Sequence, residues 1–511
     1  MRRTLGTTIG WLALAALLFF AAPVVAGKPG QGELELTVND SETGQPVPCR
    51  IHLKNGVGVA RKALKMPFWH DYFAFPGVVE LKLPRGNHLF VIERGPEYAD
   101  TSGHFRIDDF SEDRKSVTLK RAVNMADEHW WSGDLAVVRD LKHIELLMQA
   151  EDLHVAEVVT WDSTKAASNA NAPANSAVSF DGNRCYDATA GEWRVDGAGL
   201  AFYHVRHPLE LFSSADAMPT PLEAINGAHE QDGAWVDLAD PSSPALPVYL
   251  ALAKLDSFRL AHERFHRASG SAGPQAMPKP AARKASGPSQ ALGRATEEVY
   301  YHALNCGFRL PPTAASASGV EPNPLGYDRM YAWVDKEAFS YEAWWEAVRE
   351  GRVIVTNGPL IRPLANGRLP GHVLHVPDSG ELIVDVSMNL TTRDRLSYLE
   401  VVKNGRVAAS IRLEEWAKSG HFPPVKARAG DWLLVRVVAD VADTYRFASS
   451  GPWYVEGAEP EQRISRASVQ FFLDRLDAYE RGLAPPATRQ FDECGKAGAW
   501  WHELLARATD E

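Results

Sequence analysis

Residues 127–161 read DEHWWSGDLAVVRDLKHIELLMQAEDLHVAEVVTW. The run Leu135–Val138 is a short apolar strand. Leu141, Ile144, Leu147 and Met148 then recur at helical spacing and mark one apolar stripe. HVAEVVTW follows as a second buried strand, apolar and β-branched. A strand, an amphipathic helix and another strand form a β/α unit, the building block of a mainly parallel sheet or barrel.

The same alternation extends over 124–365. SPALPVYLALAKLDSFRLAHERFHR (243–267) reads as a helical or helix–strand segment. SYEAWWEAVREG (340–351) is a helix with a serine cap and a glycine stop, and the strand RVIVTN follows. Two small-residue, polar segments interrupt this unit: 165–179, and 268–293, whose Ala, Gly, Pro and Ser content predicts a mobile loop. On either side the period becomes two. ELELTVND and SVTLKRA within 33–120, and GELIVDVSMNL, SYLEVVKNGRVAASIRL and DWLLVRVVAD within 366–456, alternate as half-buried strands do. Each set predicts a β-sandwich. Residues 461–511 predict a helical tail, with Leu473, Leu476 and Tyr479 on one face and Trp500-Trp501 on a second helix.

The chain opens with Arg2-Arg3, an apolar run and the small-residue ending Val24-Val25-Ala26, the pattern of a cleaved export signal over 1–26. The apolar run Ile9–Ala26 is nearly long enough to be retained as an anchor instead. Export places the chain in the periplasm, at the cell envelope or outside the cell. No later stretch is apolar enough to span a bilayer. The formal charge of −11 argues against nucleic acid as the main partner. Cys49, Cys185, Cys306 and Cys494 lie far apart with no Cys-x-x-Cys pair, which excludes a zinc knuckle. Their spacing leaves disulfides and free thiols equally open.

Five pieces carry a family resemblance: HWWSGDL (129–135), AEDLHVAEVVTW (150–161), YYHALNCGFRLPPTAASASG (300–319), RMYAWVD (329–335) and FSYEAWWEAVREGRVIVTNGPL (339–360). In this order they resemble the CehA/McbA branch of the polymerase-and-histidinol-phosphatase (PHP) superfamily. The resemblance implies a distorted, TIM-like β/α barrel over 124–365, flanked by the two sandwiches. It implies a metal-dependent hydrolase of esters, carbamates or phosphoesters, with metals at the C-terminal ends of the strands. The first metal motif is a His-x-His pair after Gly-Asp-Leu, since alternate strand positions point to one face. Here those positions hold Ala136 and Val138. The last motif, Gly-Ser-Asp-x-His, matches a stretch with Ala317 and Gly319 in the ligand positions. Four absent donors predict that no cluster of zinc, manganese or iron is held.

Several polar residues remain as candidates. AINGAHEQDG keeps His229, and LAKLDSFRLAH keeps Asp256 but carries Arg259 where related sequences commonly have Glu. A guanidinium there either replaces the cation's charge or lies on a helix surface. HERFH (262–266) matches the HExxH zinc signature, with His262 and His266 one helical turn apart and Glu263 as a base; a solvated helix end is the preferred reading. His129 and Asp134 are weaker metal candidates, facing opposite sides of one strand. His302 lies on a helix with Tyr301 and Asn305, and Asn323, Tyr327 and Arg329 follow in a loop. The leading expectation is an exported PHP-fold protein that has lost its metals and binds a small molecule or glycan. The alternatives are a metal-dependent hydrolase with a rearranged site drawn from His129, Asp134, His229, Asp256, His262 and His302, and a structural envelope protein.

Overall fold

In this computed structural model the described residues are 30–162, 177–194, 197–209, 219–265, 288–377, 380–442, 444–458, 463–484 and 487–509. The export signal, His266 and most of the two interrupting segments lie outside them. Residues 288–293, read from sequence as the end of a loop, open an 18-residue helix. The chain is β-rich and multidomain, with several sheets and, among the described residues, eight α-helices.

At the N-terminal end, Gln31–Asp40 alternates between exposed and buried positions. It pairs antiparallel with Val78–Pro84 and parallel with Glu112–Leu119. A second sheet contains Phe68–Trp69, Tyr72–Phe75, Cys49–Asn55, Gly86–Glu93 and Thr101–Ile107 in that order. Both sheets turn their apolar faces to one core that includes Leu36, Val38, Ile51, Leu53, Phe73 and Ile92.

The central unit runs through strands β1 (Trp130–Val137), β2 (Val155–Asp162), β3 (Arg184–Trp193), β4 (Leu200–Tyr203), β5 (Trp235–Leu238), β6 (Ser257–Ala261) and β7 (Pro312–Ala314). Helices α1 (Ile144–Ala150), α2 (Pro221–His229), α3 (Leu246–Leu252) and α4 (Pro288–Asn305) lie between them. Each strand pairs with the next. The pairs β1–β2, β2–β3, β5–β6 and β6–β7 are parallel, whereas β4 is antiparallel to both its neighbours. Just past β7 an isolated parallel bridge joins Ser318 to Val137, and the Val138 amide donates to the Ser318 carbonyl at 2.8 Å. The first half of β1 pairs instead with β8 (Arg329–Trp333), which pairs with β9 (Val353–Thr356). Between β8 and β9 lies α5 (Tyr341–Arg349), capped by Ser340, whose hydroxyl accepts from the Ala343 amide. Gly133 permits α5 to dock: a Cβ there would stand 2.2 Å from the Trp344 ring.

The sheet continues from β9 into Phe447–Ser450, so the central and C-terminal units share backbone hydrogen bonds. Leu360–Ala365, which its sequence position groups with the central unit, pairs with Val386–Thr391 of the C-terminal one. The tail forms helices Arg466–Gly482 and Thr488–Ala506. Trp501 is fully buried and its indole donates to the Pro247 carbonyl of α3. All four cysteines are buried free thiols. Among the described residues, no helix is long and apolar enough to cross a membrane.

Candidate functional site

The Gly-Asp-Leu end of β1 and the loop after β7 lie side by side. Asp134 is fully buried and accepts four hydrogen bonds, from the Ala136, Ser316 and Gly326 amides and the Ser316 hydroxyl. Burial raises its pKa, and those donors oppose the rise. Asp134 therefore ties the two segments together with its acceptor capacity filled. Ala136 and Ala317 are wholly buried. Gly319 has φ +107°, and a Cβ there would fall 1.8 Å from the Val138 carbonyl oxygen. The backbone around Gly319 thus leaves no room for any side chain. The N-terminal unit reaches this end too, for the Trp69 indole donates to the Glu321 carbonyl and the Arg139 guanidinium lies 4.9 Å from the Trp69 ring centre.

Beneath these positions lies an ion cluster. Arg259 is on strand β6, not on a helix, and is completely buried. Its Nε donates to Asp237 Oδ2 at 3.0 Å, one Nη donates to Glu192 Oε1 at 3.2 Å, and the other donates to the Tyr203 hydroxyl at 2.8 Å. The Tyr203 hydroxyl in turn donates to the Leu135 carbonyl at 2.9 Å, one residue before Ala136. Asp237 also accepts from the Ser257 and Thr313 hydroxyls. Burial pushes Glu192 up, but Arg194 and Arg259 hold it below the ordinary carboxylate range. Strands β1, β3, β4, β5, β6 and β7 all contribute a partner. Sequence reading singled out Arg259 and missed Glu192, Asp237 and Tyr203. The available signal was a lone carboxylate in each of two apolar strands, AGEW and WVDL.

Other candidates lie elsewhere. His229 and Asp256 are neighbours at 3.4 Å, but Asp256 precedes β6, at the opposite end of the strands from Val138. There His229 also meets the Lys254 carbonyl, and Asp256 accepts from the Val236 amide. His129 precedes β1, also at that far end, and accepts from the Lys336 amide. Within the described part of HERFH, 262–265, there is neither the zinc-binding helix nor a solvated helix end. His262 follows β6 directly, is buried and sits 3.1 Å from the Thr296 hydroxyl, while Glu263 and Arg264 turn the chain. His302 lies on α4, stacked at 4.0 Å on Phe471 of the tail, and burial lowers its pKa. Arg329 is on β8 rather than in a loop and is buried. Among the described residues, no three His, Cys, Asp or Glu side chains are arranged to hold a metal ion. Ala136, Val138, Ala317 and Gly319 carry no side-chain donor for a metal, and the Arg259 guanidinium, a permanent cation, lies in the interior.

An open groove of about 850 Å³ lies between α4, the hairpin Leu396–Arg412 and the first tail helix. Tyr301, His302, Asn305, Arg406, Trp432 and Arg436 line it. Asn305 is fixed by the Trp432 indole, which donates to its side-chain oxygen at 2.8 Å. The buried Tyr301 hydroxyl lies beside Arg436 without a hydrogen bond of normal geometry.

No known family profile matches this chain, and no curated protein is significantly similar to it. Among solved structures, the Bacillus anthracis TIE protein is 20% identical over 22% of this chain and 20% of its own, with a TM-score of 0.15. The Clostridium thermocellum CbhA fibronectin(III)-like modules are 17% identical over 20% of this chain and 100% of theirs, also with a TM-score of 0.15. The match to the TIE protein spans about a fifth of that protein's length.

Proposed function

We propose that this chain is an exported PHP-fold protein of the CehA/McbA type in which Arg259 stands where relatives hold divalent cations, and that it binds a ligand without hydrolysing it. The carrying observation is the buried Arg259 guanidinium held between Glu192 and Asp237. A buried carboxylate needs a compensating charge. In a metallohydrolase that charge is the metal; here it is covalently attached and offers no open position for water or substrate. The succession β1 to β7, with the Val137–Ser318 bridge between its ends, supports reading the central unit as a distorted barrel. Its Ala136, Val138, Ala317 and Gly319 end is the one where PHP enzymes keep their metals.

The ligand site is the groove beside α4. Its size is within the range of small-molecule pockets, and its amide, guanidinium, hydroxyl and imidazole groups suit the hydroxyls of a polar small molecule or glycan. A rearranged hydrolase has less support, because His229 and Asp256, His262, and His302 occupy three separate places.

Two measurements test this reading together. Elemental analysis of protein purified without added metal is expected to find far less than one zinc, manganese or iron per chain. Near-stoichiometric metal, or chelator-sensitive esterase or phosphodiesterase activity, overturns it. A saccharide and metabolite screen by thermal shift is expected to yield a ligand whose effect weakens in Arg406→Ala. A ligand unaffected by that change and by Tyr301→Phe removes the groove from the proposal.

A further inference from the structure

One tip of the N-terminal unit departs from the character of the rest of the chain. Between Glu42 and Asp71 the sequence has no acidic residue, yet it carries Arg50, Lys54, Arg61, Lys62 and Lys65, in a protein of formal charge −11. Arg50 is buried in ion pairs with Glu93 and Glu151, and Lys54 pairs with Asp71. Among the described residues, Arg61, Lys62 and Lys65 make no ion pair; Lys62 lies over the Phe68 ring at 4.5 Å. The same loop displays large apolar side chains to solvent: Val57 is 83% exposed, Val59 54% and Leu64 83%. Its apex is held rigidly, since Asn55 bonds back to Val59 through both its backbone amide and its side chain, and Arg61 bonds back to Leu53. Val57 and Val59 are therefore presented by an ordered turn, with Leu64 exposed beside it.

The apex also lies where the chain enters the unit. Gly56 sits against the Asn87 carbonyl, two residues from Arg85, whose amide donates to the Gly30 carbonyl at 2.8 Å. Phe110, 54% exposed, is at the same end, with its amide bonded to the Gln31 carbonyl. Asp108 and Asp109 beside it are each paired, with Arg106 and Arg85. The apolar run Ile9–Ala26 ends four residues before Gly30, a span of at most ~14 Å of extended chain.

We infer that this tip is a membrane-contact surface, with Val57, Val59 and Leu64 entering the headgroup region of an anionic bilayer and Arg61, Lys62 and Lys65 meeting its phosphates. Protruding apolar groups ringed by unpaired cations are what interfacial attachment requires. The acidic remainder of the protein is repelled by the same surface, so contact is confined to this end and oriented by it. With the apolar run still attached, its exit point holds the tip at the membrane; once the run is removed, the tip alone supplies a weak, salt-sensitive attachment.

The test is co-sedimentation of the chain beginning at Gly27 with vesicles of phosphatidylglycerol and phosphatidylcholine, and with phosphatidylcholine alone. Binding is expected on the anionic vesicles and little on the neutral ones. It should weaken about fivefold for each charge removed in Arg61→Gln, Lys62→Gln and Lys65→Gln, and also in the pair Val57→Ser, Leu64→Ser. All five positions are on the surface loop, and unchanged melting temperatures verify that the variants fold. Absence of binding to anionic vesicles, equal binding to neutral ones, or binding unaltered in both variants overturns the inference.

Discussion

Replacing Arg259 with Met retains most of the side chain's length and removes its charge. Glu192 and Asp237, 2% and 0% exposed, then lose the guanidinium that faces both. Breaking a buried ion pair from one side costs about 3–5 kcal/mol, because a remaining charge is left uncompensated; here that charge is Asp237, while Glu192 keeps Arg194. For a unit of some 240 residues, 1 kcal/mol corresponds to about 2–4 °C, so the transition of the central unit should fall by about 6–20 °C. Several units unfold in one chain, so a single melting curve is not two-state. Scanning calorimetry is therefore paired with hydrogen exchange of peptides spanning 235–261. The pH dependence separates charge from packing. In the native protein Glu192 is held below its unfolded value of about 4.3. Its contribution is thus complete above that value and is lost as pH falls through the lower, folded one. Without Arg259 that carboxyl titrates higher, and acid relieves the penalty. The variant's deficit should be largest at pH 7 and shrink towards pH 4. The triple variant Arg259→Met, Glu192→Gln, Asp237→Asn should recover part of the loss. A deficit below about 2 °C, or one equally large at pH 4 and pH 7, would falsify the view that Arg259 compensates these carboxylates.

Three further expectations rest on other parts of the molecule. Gly319→Ala forces a Cβ against the Val138 carbonyl at positive φ, and should cost about 3 kcal/mol or more by chemical denaturation; a loss under about 1 kcal/mol means this loop is not pinned as described. Burial, only partly opposed by Asp152, depresses His154 from 6.5 to about 3. A buried neutral histidine contributes stability that is complete above pH 6.5 and erodes as pH falls towards 3, by about 3 kcal/mol at pH 4; His154→Gln should flatten that acid limb in denaturant titrations, and an unchanged limb refutes the assignment. Trp501→Ala removes a fully buried indole stacked on Phe472 and bonded to the Pro247 carbonyl. It should release the tail to limited proteolysis while the tryptic resistance of 31–120 persists, at a cost of about 3–5 kcal/mol.

The two periodicities made the gross layout legible. Alternation in Gln31–Asp40 and the apolar stripe Ile144, Leu147 and Met148 reflect burial that each short segment meets locally, whereas Leu141, read as part of that stripe, is 40% exposed in the turn before α1. The antiparallel setting of β4 was not legible, because LAFY is apolar in either direction and its orientation depends on partners distant in sequence. The helix expected around HERFH failed for a related reason. A His pair one turn apart is a helical signal only if the backbone is helical, and here β6 runs up to Ala261 and the chain then turns. Arg259 shows the limit most clearly. Its sequence position permitted both a surface helix and an interior site; only strand pairing, which sets Asp237 opposite Ser257 and Phe258 opposite Pro312, turns it inward.

The buried acids carry a constraint of their own. Ala136, Val138, Ala317 and Gly319 offer no side-chain donor to a metal, while Glu192 and Asp237 are buried in the interior of the same unit. Without Arg259, Asp237 would carry a desolvation penalty with no ion-pair partner among the described residues, and Glu192 would have Arg194 alone. Amide or apolar replacement would end that penalty as well as a guanidinium does, and often better. The arginine has one property those replacements lack: its planar fork links four strands at once, through Asp237 on β5, Glu192 on β3, the Tyr203 hydroxyl on β4 and its own backbone on β6. The hydroxyl of Tyr203 extends that link to Leu135 on β1. A metal cluster joins strand ends through its ligands in the same way. Arg259 thus has a mechanical role, joining strands through its contacts, and for that reason β4 and β5 should gain hydrogen exchange in Arg259→Met before any distant strand does.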